Sequence, residues 1–202
     1  WEGMQLTLLL TALAMVGGIV LGTLLALARL SGFAPLSFVA TSYINFFRSL
    51  PLILVIFWFY FLVPLALGRP VGGCYSVLIA YTLFEAAYYA EIIRAGIISV
   101  GLGLVAAARA LGMRYHQVMK DIVLPQAFRA MTPLLLTQGI ILFQDTSLVY
   151  VVGLRDFLTT SELIASRDGR LVEMFIFVAV TYFVICLLDS LGVRVLQRRM
   201  AK

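Results

Sequence analysis

Gly103-Leu-Val-Ala-Ala-Ala-Arg-Ala-Leu-Gly112, continuing through Met113-Arg-Tyr-His-Gln-Val-Met-Lys-Asp-Ile-Val-Leu-Pro125, is the longest stretch of this chain too polar to cross a bilayer. It carries Arg109, Arg114, His116, Lys120 and Asp121 between apolar runs. Ala106, Ala107, Ala108 and Ala110 favour helix, and Gly112 can end that helix in the left-handed conformation. Met113 to Leu124 is amphipathic, and Pro125 suits the first turn of a following helix. The spacing predicts a helix-turn-helix held at a membrane surface, with the alanines leaving a bare face for another protein. The alternative is an ordinary connecting segment, although loops of this length without a function are uncommon.

Outward from this stretch the chain is apolar. Of its 202 residues 62% are hydrophobic and 12% charged, and the mean hydropathy is +1.04. A water-soluble domain would expose far too much apolar surface, so this is an integral membrane protein. The net charge of +5 has no basic run or aromatic-interleaved patch behind it, which argues against nucleic acid. Cys74 and Cys186 form no metal or redox motif, and no disulfide is expected between them. The chain starts at Trp1 rather than Met and shows no cleavable signal-peptide pattern, so a few residues are expected to precede it.

Five apolar segments are long enough for about 30 Å of hydrocarbon: about 4–28, 51–67, 75–98, 127–152 and 171–193. The whole chain, 1–202, reads as one all-α, polytopic transmembrane domain with a surface loop over 101–125. Gly18-x-x-x-Gly22 in the first span is a small-residue face for close helix packing. Leu36 to Arg48 is short and rich in aromatics, and is expected to lie along the interface. Pro64 is expected to kink or end the second span, residues 68–73 to form a short turn, and Pro133 to kink the fourth span. Residues 153–170 read as a polar loop.

Eleven cationic residues fall on one side of this arrangement: Arg29, Arg48, Arg94, Arg109, Arg114, Lys120, Arg129, Arg194, Arg198, Arg199 and Lys202. Arg69, Arg155, Arg167 and Arg170 fall on the other. The positive-inside rule makes the first side cytoplasmic. It puts the N-terminus outside, the C-terminus inside, and the 101–125 loop within reach of a cytoplasmic partner.

Ionisable residues inside spans are costly and point first to function. Glu85 near mid-bilayer and Asp145 in the outer part of the fourth span stand open between functional and structural roles. Glu91 and Arg94 share a helix face and are expected to pair. Asp189 is expected near the inner end of the last span, tying it to a neighbour. Tyr88, Gln138, Gln144, Thr146 and Ser147 add neutral hydrogen-bonding groups able to bind a zwitterion. No Gly-Lys-Ser/Thr phosphate loop is present, so ATP and Mg would be bound by another chain, and no cofactor is expected in this one. His116, the single histidine, reads as a surface side chain.

Ala106-Ala107-Ala108, then Gly112, then Ile122-x-Leu124-Pro125 fall at the intervals of the cytoplasmic loop in membrane subunits of bacterial ABC importers, which the chain resembles. The pattern departs at Ala106, where the family usually has Glu. The resemblance implies that this loop, including Met113, is a coupling helix docking on the ATPase. Arg48-x-x-Pro51-Leu, Ala90-Glu-Ile-x-Arg94-x-Gly96-Ile and Asp145-Thr-Ser-Leu148 resemble the polar amino-acid branch, with Gln144 where the branch has Lys. Phe47-Arg-Ser-Leu-Pro-Leu52, Trp58-Phe-Tyr60, Phe84-Glu-Ala-Ala-Tyr-Tyr89 and Phe143-Gln-Asp-Thr-Ser-Leu148 look most like the membrane subunits of glutamate/aspartate importers. The resemblance implies a type I importer fold in the bacterial inner membrane. It implies an ATPase pair, a second membrane subunit (a different chain, or a second copy) and a periplasmic amino-acid-binding protein. One alternative is an importer subunit for another polar amino acid, and the reading from a different class is a passive channel or structural membrane protein.

Overall fold

In the computed structural model of the chain, residues 1–69 and 72–200 are described. Lys202, one of the cationic residues above, and residues 70–71 of the expected 68–73 turn lie outside the described residues. The described residues form helices and connecting turns. These are α1 (Glu2–Leu30), α2 (Ala34–Arg48), α3 (Leu52–Leu67), α4 (Gly73–Ile98), α5 (Leu102–Ala110), α6 (Tyr115–Val152), α7 (Phe157–Asp168) and α8 (Leu171–Met200).

Helix α4 is the hub. Tyr81, Glu85, Ala86, Ala87, Tyr89 and Ala90 are fully buried along it, with α1, α2, α3 and α6 packed around. The small-residue face of α1 makes this possible. A Cβ added to Gly22 would stand 2.9 Å from the carbonyl oxygen of Ala86 and 2.9 Å from the amide nitrogen of Ala90. Glycine there lets two backbones touch, the approach expected of Gly18-x-x-x-Gly22. At one end of this pair, Arg29 Nη1 donates to Glu91 Oε2 at 2.6 Å, while Arg94 binds the same carboxylate through Nε and Nη2. The expected Glu91–Arg94 pair is therefore a three-membered cluster that also ties α1 to α4.

Among the described residues, four helices are long and apolar enough to cross a membrane: α1, α4, α6 and α8. The remaining crossing differs from the expected one. Helices α2 and α3 together pass the same test, but they meet at 104° across Ser49–Pro51. α2 does not lie along the interface. Its Ser37 hydroxyl donates to the Arg29 carbonyl at the charged end of α1. Two turns later the Tyr43 hydroxyl donates to the Leu83 carbonyl, near the middle of α4. α2 climbs halfway through the bundle, and α3 continues from there to Tyr60, which packs beside Gly73.

Two prolines are absorbed rather than obeyed as stops. Proline lacks an N–H and its ring clashes with the carbonyl four residues back. A wide π turn over Trp58–Leu62 precedes Pro64, and another over Val118–Val123 precedes Pro125. Each adds room where the clash would fall. Pro125 thus does not open a new helix; α6 runs unbroken from the charged end through the bundle.

The expected polar loop at 153–170 contains α7. Buried Asp156 caps it, accepting hydrogen bonds from the Leu158 and Thr159 amides at 3.2 and 2.8 Å. The Phe157 amide donates to Thr7 Oγ1 at 3.1 Å, docking α7 onto the start of α1. Helix α8 lies outermost against α6 and α7, and most of its surface is exposed. The exposed Leu and Val side chains of α1 and the exposed Leu, Val and Phe side chains of α8 are apolar surface suited to lipid or a second subunit.

Candidate functional site

The turn between α5 and α6 is built as the sequence predicts. Gly112 has φ +82°. Its amide donates to the Arg109 carbonyl at 2.9 Å, and the Met113 amide donates to the Ala108 carbonyl at 3.2 Å. These are the paired bonds of a Schellman C-cap, which requires the left-handed residue that glycine supplies without strain. The Arg114 amide donates to Gln117 Oε1 at 2.8 Å, starting α6 one residue after the turn.

The alanines divide between two faces. Ala106 and Ala107 are exposed together with Gly103, Leu104, Leu111 and Gly112. Ala108 is buried, packed with Val100, Val118, Val123 and Ala127, with Met113 and Ile122 against them. The bare face is thus carried by Ala106, Ala107 and Ala110, and Ala108 holds the hairpin together. Leu124 is half-buried and Pro125 exposed. An exposed apolar rim around Leu104 and Leu111, set on a rigid turn, is a surface shaped for a protein partner.

The polar residues of the spans form two groups. At the centre, fully buried Glu85 on α4 accepts hydrogen bonds from Gln138 Nε2 of α6 at 3.1 and 3.4 Å. One turn along, the half-exposed Tyr88 ring lies beneath the Arg48 guanidinium, 5.6 Å from its centroid. The Tyr81 hydroxyl donates to the Asp145 main-chain carbonyl at 2.7 Å, holding the end of α6 to α4. The second group faces elsewhere. Gln144 and Ser147 line a groove of about 450 Å³ against α8, with Phe183, Ser190 and Arg194. Thr146 is buried and its hydroxyl donates to the Phe143 carbonyl at 2.6 Å. Ser147 likewise donates to the Gln144 carbonyl at 2.8 Å. The carboxylate and two hydroxyls grouped by sequence at 145–147 therefore do not share one face.

Residues 18–202 match the family described as binding-protein-dependent transport system inner membrane component. The chain belongs to that family. It is 54% identical over 207 residues to the glutamate/aspartate import permease GltK of Escherichia coli O6:H1, covering 99% of this chain and 92% of the relative. It is 38% identical to a probable glutamine ABC transporter permease, GlnM of Bacillus subtilis, covering 100% and 93%. Among solved structures, it superposes with a TM-score of 0.93 on an amino-acid ABC transporter crystallised with histidines, at 33% identity and 98% and 92% coverage. A methionine transporter, MetNI in an inward-facing conformation, shares the fold at a TM-score of 0.72 and 21% identity. This transport-system component is therefore a multi-pass inner-membrane subunit of an ABC importer.

Two residues of the component lie at a different depth from the one their sequence position suggests. Asp189 shares a groove with Met15, Leu136 and Gly139, and a Cβ added to Gly139 would stand 4.0 Å from the Tyr89 hydroxyl. That puts Asp189 close to mid-span rather than at the inner end of α8, exposed and in none of the ion pairs among the described residues. Arg48, read from the sequence as an interfacial cation, is exposed and stands beside Tyr88, near the middle of α4. The signal available in the sequence was the break Arg48-Ser-Leu-Pro51 inside an otherwise continuous apolar region.

Proposed function

We propose that this chain imports glutamate and aspartate as one of two membrane subunits, driven by a separate pair of ATPases. The observation that carries this reading is the 54% identity to a glutamate/aspartate import permease across 99% of the chain. ATP binding draws the ATPases together, each moves the α5–α6 hairpin seated on it, and the spans tilt to open outward. The amino acid then passes from a periplasmic binding protein to the Glu85, Gln138 and Tyr88 region. Asp145, Gln144, Thr146 and Ser147 complete the path or hold its walls. The exposed rim of Ala106, Ala107, Leu104 and Leu111 supports the coupling role of the hairpin.

Expression with its partner chains, purification and reconstitution with the binding protein tests this reading. ATP-dependent uptake of radiolabelled L-glutamate, competed by L-aspartate, is the expected result. A chain that co-purifies with no ATPase, or that conducts without ATP, is a passive channel instead.

The cationic asymmetry supports a periplasmic N-terminus and a cytoplasmic C-terminus. Single cysteines replacing Asp168 and Gln197, both exposed at opposite ends of the bundle, report this directly. In cells, an impermeant maleimide is expected to label the first from outside and the second only after permeabilisation. The reverse pattern inverts the orientation.

A further inference from the structure

We infer that Arg48 is the residue that receives a carboxylate of the transported amino acid at the centre of the membrane. The inference rests on the import reading above and assigns a residue to it.

Depth is the first observation. α4 is 26 residues long, and Tyr88 sits about 4 Å from its midpoint at 1.5 Å per residue. The Arg48 guanidinium is 5.6 Å from the centre of that ring. A guanidinium at this depth is too costly to face hydrocarbon, so its surroundings are polar. The second observation is that Arg48 is exposed and held by no salt bridge among the described residues, although it lies over the Tyr88 ring and within electrostatic reach of Glu91. Ion pairs among the described residues engage Arg29, Arg94 and Arg167, not Arg48. The third is the backbone. The helical ladder stops between Arg48 and Leu52, with Ser49 and Pro51 exposed, and the chain turns through 104°. Broken backbone at membrane depth persists only where it is covered by protein or lines a water-filled cavity.

These observations describe a cation without a salt bridge, on a wet or protein-covered face near the middle of α4, set over an aromatic ring. The guanidinium offers a planar fork of N–H donors that fits a carboxylate. It also resolves a difficulty in the import reading. Glu85 and Asp145 by themselves disfavour an anionic substrate, whereas Arg48 supplies the opposite charge one turn from Glu85.

The test uses the complete transporter reconstituted with its binding protein. Arg48→Gln is expected to lower uptake efficiency by about 10- to 100-fold, the value of a charge-assisted hydrogen bond. Assembly and basal ATP hydrolysis should be retained, and Arg48→Lys should keep an intermediate rate. With an unsubstituted transporter that also takes up L-glutamine, loss shared by L-glutamate and L-glutamine assigns Arg48 to the α-carboxylate, and loss confined to L-glutamate assigns it to the side-chain carboxylate. Both outcomes support the inference. Arg48→Cys, in a chain whose Cys74 and Cys186 are replaced by Ser, adds a readout that a packing role would not move. Attaching an aminoethyl group through a thiosulfonate should restore uptake, and a neutral methyl group should not. Normal uptake by Arg48→Gln, or equal restoration by both reagents, overturns the inference. So does loss of the assembled complex in both Arg48→Gln and Arg48→Lys, which would mark an ion pair with the other subunit. Failure of the unsubstituted transporter to take up any amino acid refutes the import reading instead, and is recognised by that control.

Discussion

Gly112→Val is expected to leave the chain in the membrane and to uncouple it. The residue has φ +82°, and a side chain there meets no atom within 4 Å. Crowding inside the chain is therefore not the cost. The cost is conformational, about 1–2 kcal/mol for an L-residue held in the left-handed region, with β-branching at the unfavourable end. The turn can relieve that strain only by giving up the bonds from Gly112 to Arg109 and from Met113 to Ala108. Losing them lets α5 swing relative to α6 and moves the face formed by Ala106 and Ala107. The added methyls also project outward, where the proposed partner sits. Uptake and ATP hydrolysis stimulated by loaded binding protein should each fall about tenfold or more, the equivalent of at least 1.4 kcal/mol. Gly112→Asn, which tolerates the left-handed region, should fall far less. Ala106→Glu should also be mild, since Ala106 is exposed. Full uptake and full stimulation in Gly112→Val would show that this hairpin is not where the ATPase acts.

Gly22→Leu should damage the bundle itself. The first atom of the new side chain falls 2.9 Å from backbone atoms of Ala86 and Ala90 and 2.9 Å from Tyr89 Cβ. Backbone cannot step aside as a flexible side chain can, so α1 must lift off α4. Overpacking of a tight core costs about 1–3 kcal/mol, and separating two helices along their length should exceed that range. A lowered yield of the assembled transporter and a lower apparent Tm of the purified complex are expected. Gly32→Leu is the matched control, because nothing lies within 4 Å of its added Cβ. Equal stability of the two variants would mean that the α1–α4 contact contributes little.

Much of this architecture was legible in the sequence for simple reasons. Apolar run length sets which segments can cross a bilayer, whatever packs around them. Left-handed backbone at Gly112 follows from a helix that must end and turn at that point. The small-residue face of α1 reads directly because only glycine permits its contact with α4. In the proposed site, Glu85 and Gln138 were each picked out as polar groups within spans. Their pairing across 53 residues was not predicted, since α4 and α6 come together only in the folded bundle.

Other features are tertiary in origin. Run length and hydropathy are local sums and carry no depth. Arg48 at the end of a short aromatic helix therefore looks like an interfacial anchor, and only α2 rising against Leu83 and Tyr88 carries it beside the middle of α4. Asp189 is displaced for the same reason, because the register of α8 on α6 sets its height. Ala108 and Ala106 are two residues apart on one helix, and contact with Val118 and Val123 decides which of them turns inward. Residues 157–168 are too polar to read as a span, yet they fold as a helix because Asp156 caps them and Thr7 anchors their first amide. Sequence by itself determined which segments enter the membrane and where the backbone must turn, since both follow from the residues' own chemistry. How deep each charge sits, and what it faces, was decided by packing between helices far apart in the chain.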